Sequence, residues 1–562
     1  MSHDRLCRWA AWGTDRDALS LDDRARLSAY LREALGGLDP PQQPVPLESI
    51  VPPPSRLPAD ARAALENCLG ALNVSLDDRD RLVHSFGRSY RDLIRARQGC
   101  TNRVTDAVVY PQSESHVETI LEIATQSRLS VVPFGGGTSV VGGVEPDAGE
   151  HHAVLTLDTR HLDHVRVDAP SLLADIGAGI LGPDLEHRLA AFGLTLGHFP
   201  QSFEFSTFGG WIAARGAGQQ STRYGKIERM IQAVSVATPR GWIHTRNVPA
   251  SAAGPSVLEQ IIGSEGTLGV ITSAVARVHR PPEATRYQAY LLPAFDAGCA
   301  LLRELEQAEL PLSIVRLSDP EETRWLSRAS EGGHSLPARL GKWWIDRATR
   351  RRAFSREEMC LAMLSLEGSR PFVERGATHV RAVAARHGAV ALGSSPGRQW
   401  VADRFRHPYL RDELIARRVM VDTLETATTW SNLRALYDGV RTAISQAISQ
   451  AGPAGVVMCH LSHLYPSGSS LYFTFLARQL EGGELDQWSR VKQAATAAIV
   501  AGNGTLSHHH GIGNEHLPLS AEAGEAAVAA LAAAKAALDP AGIMNPSKLF
   551  APATATLHRC RE

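Results

Sequence analysis

The chain has 562 residues, 44% of them apolar, with 58 basic and 59 acidic side chains and a formal net charge of −1. Such a length exceeds one ordinary core, and the near-balanced charge argues against a nucleic-acid partner held on a broad basic surface. Seven scattered cysteines without a CxxC spacing favour neither a disulfide framework nor a thiolate zinc site, and fit a reducing compartment. With no leader-like start and no apolar run of about 18 residues, the expected location is the cytoplasm.

Leu27, Leu31 and Leu35, four apart among charges, predict an N-terminal helix, and the tract LDPPQQPVPLESIVPPPSRLP then reads as an extended connector. From about residue 100 to 280 short apolar runs (DAVVYP, LSVVPF, HAVLTLD, SLLADIGAG) alternate with helical stretches (HVETILEIATQS, DLEHRLAAFG), the rhythm of a mixed helix and strand unit. Around Pro281-Pro282 longer amphipathic segments begin, which marks a second domain. Near the end, SAEAGEAAVAALAAAKAALDP predicts a helix with Ser520 as N-cap, Glu522 in its first turn and Asp539-Pro540 closing it.

The most informative segment is LSVVPFGGGTSVVGGVEP, in which an apolar β-branched run enters three consecutive glycines followed by Thr138 and Ser139. Glycines permit positive φ and bring successive N–H groups close to a phosphate, and the hydroxyls add donors. Three further glycine-dense loops lie at 176–182, 206–218 and 261–272, which points to a nucleotide pyrophosphate. The first of these three contains GxGxxG through Gly177, Gly179 and Gly182 after an apolar run, superficially a Rossmann fingerprint.

SLYFTF reads as a strand with Leu471, Phe473 and Phe475 on one face and Tyr472 and Thr474 on the other. Three adjacent histidines, His508, His509 and His510, invite a metal reading, yet along an extended segment only His508 and His510 share a face and no further ligand follows from spacing, so no metal is expected.

PFGGGTSVVGG, LGHFPQSFEFSTFGGW, GSEGTLGVIT and SHHHGIG, in this order, together with SIVRLSD, YLRDELI, LYFTF and DPAGIMNPSKL, resemble FAD-binding proteins of the vanillyl-alcohol-oxidase/PCMH type, and among them the alkyldihydroxyacetonephosphate synthase family. The resemblance runs from about residue 85 to 550 and implies an α+β fold. Its parts would be an N-terminal helical extension with a Pro-rich linker (1–84), a two-subdomain PCMH-type FAD-binding domain (85–282), an α+β cap or substrate domain (283–515) and a C-terminal helical segment packing back on the FAD domain (516–562). No Rossmann unit is used in such folds, which makes the GxGxxG a decoy.

The same resemblance implies that Pro133, Phe134, Gly135, Gly136, Gly137, Thr138 and Ser139 hold the pyrophosphate. Gln201, Ser202, Phe203, Glu204, Phe205, Ser206 and Thr207, with Ala213, Ala214, Arg215 and Gly216, would line the flavin side. Glu265, Gly266, Thr267, Leu268, Gly269, Val270 and Ile271 would contact the adenosine half. No histidine stands in the GGGTSVVGG loop, which implies noncovalent FAD.

Tyr472 takes the family's catalytic acid/base position, with His508, His509 and His510 around it; Arg411 matches a phosphate-binding arginine and Arg316 another functional one. His460 replaces the family's arginine after a cysteine, a departure at the substrate anchor. The implied activity exchanges the acyl group of acyl-dihydroxyacetone phosphate for a long-chain alcohol, giving an ether-lipid precursor with no net redox. The alternative is an FAD-dependent oxidoreductase of a 2-hydroxy acid, against which the incomplete double-histidine metal element counts. Implied partners are a lipid with a phosphate head, the alcohol, a second copy in a homodimer and a membrane surface touched peripherally.

Overall fold

A computed structural model of the chain describes residues 6–14, 20–329, 347, 349–450, 452 and 454–550. Three sheets carry it. The first joins β1 (Val74–Ser75), β2 (Ala107–Val109), β3 (Leu129–Phe134) and β4 (Ala153–Asp158) in the order β1-β2-β4-β3, with β2, β4 and β3 parallel. Parallel strands are covered on both faces, which is why β3 and β4 are predominantly apolar and almost wholly buried. The helix Glu114–Gln126 lays Val117, Ile120, Leu121 and Ala124 against this sheet, and Ser113 caps its start by accepting from the His116 N–H.

The second sheet is antiparallel: β5 (Val165–Asp168), β6 (Leu173–Gly177), β7 (Ile231–Thr238), β8 (Gly241–His244) and β9 (Val270–Arg277), in the order β5-β6-β9-β7-β8. The GxGxxG therefore leaves an antiparallel strand, not a βαβ crossover. Its glycines serve close packing of protein on protein, since a Cβ on Gly179 would lie 1.8 Å from the Thr159 carbonyl oxygen and one on Gly182 would meet Phe203 at 2.5 Å.

The third sheet comprises β10 (Ala284–Leu292), β11 (Leu312–Ser318), β12 (Cys360–Gly368), β13 (Val390–Gly393), β14 (Val419–Thr429), β15 (Gly455–Leu461), β16 (Leu464–Tyr465) and β17 (Gly468–Arg478). The strand order is β13-β10-β12-β11-β15-β17-β14 with β16 on β17, and every pairing is antiparallel. One face packs on the helices Phe295–Gln307, Arg370–Arg386, Leu433–Gln450 and Glu484–Ala501 in the largest core, where Leu471, Phe473 and Phe475 are wholly buried. The other face looks into a cavity.

The helix Leu21–Leu35 sinks Leu27, Leu31 and Leu35 into that same core. The proline tract is not a free linker: Gln42 N–H donates to the Ala416 carbonyl at 2.6 Å and Val45 N–H to the Arg97 carbonyl at 2.9 Å, which ties it along the surface. Ser520 is not an N-cap. It is the first residue of a four-residue turn, Ser520–Ala523, and Gly524 at φ 80° breaks the chain before the helix Glu525–Leu538. Asp539 does close that helix, accepting from the Ile543 and Met544 N–H groups at 3.0 and 2.8 Å. The next residues run beside β3, where Val131 N–H donates to Ile543 O at 2.8 Å and Asn545 N–H to Val131 O at 2.9 Å.

Cys7, Cys68, Cys299, Cys360 and Cys459 are free thiols, so no disulfide framework runs through the described residues, although Cys100 is disulfide-bonded, which the expected reducing compartment did not anticipate. No helix among the described residues is long and apolar enough to cross a membrane.

Candidate functional site

A cavity of about 460 Å³ opens where the three sheets meet, and its walls come from all of them: Pro133 to Ser139 at one end, Ala178 and Ile271 along a side, and Arg316, His460, Tyr472 and Thr474 at the other. That size is ordinary for a ligand site. The glycine loop shapes the first end by two means. Gly137 has φ 65°, the left-handed region, while Gly135 and Gly136 do not; their lack of a side chain is needed for close approach instead. A Cβ on Gly135 would sit 2.1 Å from Thr207 Oγ1, and one on Gly136 would sit 1.6 Å from the Phe205 carbonyl oxygen. Among the described residues the N–H groups of Gly135, Gly136, Gly137, Thr138 and Ser139 have no protein acceptor. Five successive unclaimed donors facing a cavity form an anion cradle.

Of the other residues expected at the cofactor, Gln201, Ser202, Ser206, Thr207, Ala213, Ala214, Gly216, Glu265, Gly266, Gly269 and Ile271 line the cavity. Seven do not. Phe203 stacks in the core between Trp211 and Phe405, Phe205 packs against Trp12, and Glu204 is exposed. Arg215 reaches outward to Glu259 at 2.8 Å, and Thr267, Leu268 and Val270 are buried away from the wall. The Glu265 carboxylate is spent on the chain itself, accepting from the Ile512 and Gly513 N–H groups at 2.7 and 2.8 Å; burial pushes its pKa up to about 7. It thereby anchors the loop that follows the histidines.

Strand register builds the opposite wall. Tyr472 on β17 faces Glu425 on β14 and His460 on β15, so three polar side chains stand abreast on the cavity face. His460 stacks on the Tyr472 ring at 4.8 Å between centroids, and the His509 and His510 rings lie 6.3 and 5.8 Å from it. Burial raises the Tyr472 pKa, with Glu425 and Asp422 acting in the same sense, so the phenol keeps its proton at neutral pH.

The histidine segment is bent rather than extended, which corrects the expected alternation: His509 and His510 both line the cavity, while His508 turns to Tyr465, its Nε2 2.6 Å from the hydroxyl. Lys226 holds the His508 carbonyl, and the buried Glu425 carboxylate accepts from the His509 N–H and touches its Nδ1. Burial pushes His508 and His509 well below the usual histidine range and His510 down to about 4, so the cluster is neutral at pH 7. The further ligands that spacing could not supply are present. His463 with His508 and His509, and Glu425 with His509 and His510, each gather ligand atoms within 4.8 Å, close enough to hold a metal ion.

The arginines differ from each other. Arg316 Nη2 donates to Glu322 Oε1 at 2.7 Å and Nη1 to His460 Nε2 at 3.2 Å, while His460 Nδ1 donates to the same Glu322 oxygen at 3.0 Å. This closed triangle fixes the imidazole tautomer and, among the described residues, leaves Arg316 Nε and Glu322 Oε2 without a partner. Arg411, on the helix His407–Ala416, spends Nη1 on the Arg88 carbonyl at 2.6 Å and lines the cavity with an unpartnered Nε. Glu322, Glu425, His463, Tyr465 and Lys226 are the site residues that sequence reasoning missed; the one local signal was Glu425, an acidic residue within the strand VMVDTLETATT.

Comparison with known proteins agrees with this layout. Residues 105–246 match the FAD binding domain model and residues 281–549 the model of FAD linked oxidases, C-terminal domain. The alkyldihydroxyacetonephosphate synthase of Dictyostelium discoideum is 36% identical over 479 residues, 84% of this chain and 78% of that protein. That of Trypanosoma brucei brucei is 34% identical over 86% of this chain and 80% of its own length. A solved alkyldihydroxyacetonephosphate synthase structure superposes with a TM-score of 0.85 at 30% identity, covering 98% of this chain and 100% of that one. The fold and site define an FAD-linked protein of the two-domain oxidase type, and FAD is its cofactor. The chain belongs to the alkyldihydroxyacetonephosphate synthase family. The five free amides of the glycine loop suit the pyrophosphate of that cofactor.

Proposed function

We propose that this chain exchanges the acyl group of acyl-dihydroxyacetone phosphate for a long-chain alcohol, yielding the ether and a free fatty acid without net oxidation. The observation that carries the reading is a single cavity lined both by an anion cradle and by Arg411, Tyr472 and the neutral histidines His509 and His510.

Pro133 to Ser139, Gln201, Ser202, Ser206 and Thr207 would hold FAD noncovalently. Bound there, the flavin supplies an electron-pair reservoir for the carbon at which one oxygen substituent is replaced by another. The chain's own residues do the rest. Arg411 gives the substrate phosphate a charged donor that stays ionised. Tyr472 holds a proton at its phenol oxygen and exchanges it with the reacting oxygens; His509 and His510, neutral and beside it, take up the alcohol proton that finally leaves with the carboxylate. Arg316, Glu322 and His460 keep the wall next to Tyr472 rigid. The apolar lining from Val315, Leu326, Leu414 and Met458 keeps water from competing with the alcohol.

The reading keeps domain limits near residues 84, 282 and 515, and includes a cytoplasmic location, a homodimer and peripheral contact with the lipid source. Gel filtration and vesicle flotation test the last two. The activity itself is tested by anaerobic incubation of the yellow protein with acyl-dihydroxyacetone phosphate and hexadecanol. Ether formation with fatty acid release and no electron acceptor is expected; lasting bleaching by a 2-hydroxy acid, without ether product, would overturn it.

A further inference from the structure

Residues 6–14 form a strap that crosses beside the cavity. Cys7 and Trp12 are buried against Phe205 of the FAD-binding part and Tyr409 of the helix that carries Arg411. The strap is tied at several points. Trp12 N–H donates to Asp412 Oδ2 at 2.8 Å, Arg8 Nη2 pairs with the same oxygen at 3.1 Å and also donates to the Trp12 carbonyl at 2.9 Å. Arg88 Nη2 donates to the Cys7 and Arg8 carbonyls, each at 3.3 Å.

Trp12 forms part of the cavity wall, is 3% exposed, and its indole N–H has no acceptor among the described residues. A buried donor left without a partner is unfavourable, so it marks a place where a ligand oxygen is expected. A second unpartnered donor, Arg411 Nε, stands on the same wall one residue from the Asp412 that pins Trp12. The charges gathered here are Arg8, Arg88 and Arg411 against Asp412. The nearest other wall carboxylate, Asp422, is already engaged by Lys492 at 2.9 Å and by the Trp488 indole at 2.7 Å. The surplus is positive, which selects an oxyanion over a neutral hydroxyl.

We infer that Trp12 is a substrate-binding residue, its indole N–H joining Arg411 to grip the phosphate of the substrate, so that the N-terminal strap completes the head-group pocket. This rests on the reading above that Arg411 takes that phosphate. The test is calorimetric binding of dihydroxyacetone phosphate to the FAD-loaded wild type and to Trp12→Phe, which keeps an aromatic wall and removes the donor. About tenfold weaker binding is expected, with a matching rise in KM for acyl-dihydroxyacetone phosphate and unchanged kcat, alcohol KM and flavin content. Trp12→His, which restores an N–H, is expected to recover part of the loss. Equal binding by wild type and Trp12→Phe overturns the inference alone. No binding by wild type overturns it together with the reading it rests on. Loss of FAD with phosphate binding intact overturns it by assigning the donor to the cofactor.

Discussion

A methyl group on Gly136 would lie 1.6 Å from the carbonyl oxygen of Phe205, a contact with backbone that no rotamer change relieves. The loop would have to move off Thr207 and Phe205, and its row of free amides would lose alignment. Gly136→Ala is therefore expected to cost about 1–3 kcal/mol of stability and to elute largely colourless from a desalting column, whereas Gly193→Ala, with nothing within 4 Å, stays yellow but strained by its φ of 66°. Tyr472→Phe tests chemistry rather than shape: the ring stack on His460 survives, the colour is retained, and ether formation should fall on the order of a hundredfold or more. Undiminished turnover would remove the phenol from the mechanism. Beneath the loop, His84 is wholly buried between Asp80 and Asp158, with Nε2 3.0 Å from Asp158, and its ring lies 4.7 Å from Phe134. Burial alone would lower its pKa, but the two carboxylates prevail and raise it to about 9. A pKa raised on folding stabilises fully below the unfolded value near 6.5 and the gain is lost as pH climbs through about 9. His84→Gln should lower the unfolding free energy obtained from urea titration most at pH 6, by about 3 kcal/mol, and much less at pH 9.5.

At the scale of elements, the site is made by register. Glu425, Tyr472 and His460 stand abreast because β14, β17 and β15 pair at those positions, and a slip of β17 by one residue would turn Tyr472 away from the other two. The alternation of SLYFTF announced which way Tyr472 points, since period two is local. Glu425 lies 47 positions earlier and its partnership with His509 is decided only by assembly of the sheet, so nothing local could reveal it. The same limit explains the histidines: an extended segment would separate His509 from His510, but the chain bends after Leu506 and both enter the cavity. Glycine loops were the legible part because their chemistry lies in consecutive backbone. Burial lowers the His510 pKa to about 4 and the Glu425 charge opposes that fall. The acid limb of turnover is thus expected near pH 4 rather than 6.5, provided the protein stays folded there. Burial raises the Glu425 pKa, so near pH 4 its carboxyl is protonated; Glu425→Gln should therefore leave that limb in place while kcat drops on the order of tenfold from loss of His509 placement. A pH–rate profile of both proteins checks this; a limb displaced in the variant would mean that Glu425 is ionised there.

For the whole molecule, the question is whether the FAD-binding part and the cap behave as one body. Their join is more than the cavity: Glu367 of β12 accepts from Gln220 Nε2 at 2.7 Å and from the Tyr224 hydroxyl at 3.2 Å, and Lys226 reaches the His508 carbonyl. The strap links Phe205 to Tyr409 from a third direction. Each contact is modest alone, but they share one set of walls, and a ligand between those walls is lost only when the parts separate. FAD at a hundred times its dissociation constant adds about 2.7 kcal/mol. Spread over the unfolding entropy of all 562 residues this raises Tm by about 2 °C, whereas confined to a unit of about 200 residues it raises that unit by about 6 °C. Calorimetry of the apo and FAD-loaded protein should therefore give one transition that moves by the smaller amount. Two transitions, with only the earlier one shifted by the larger amount, would mean that the cap unfolds independently and that the walls around Tyr472 and the glycine loop are held in place by FAD rather than by the chain.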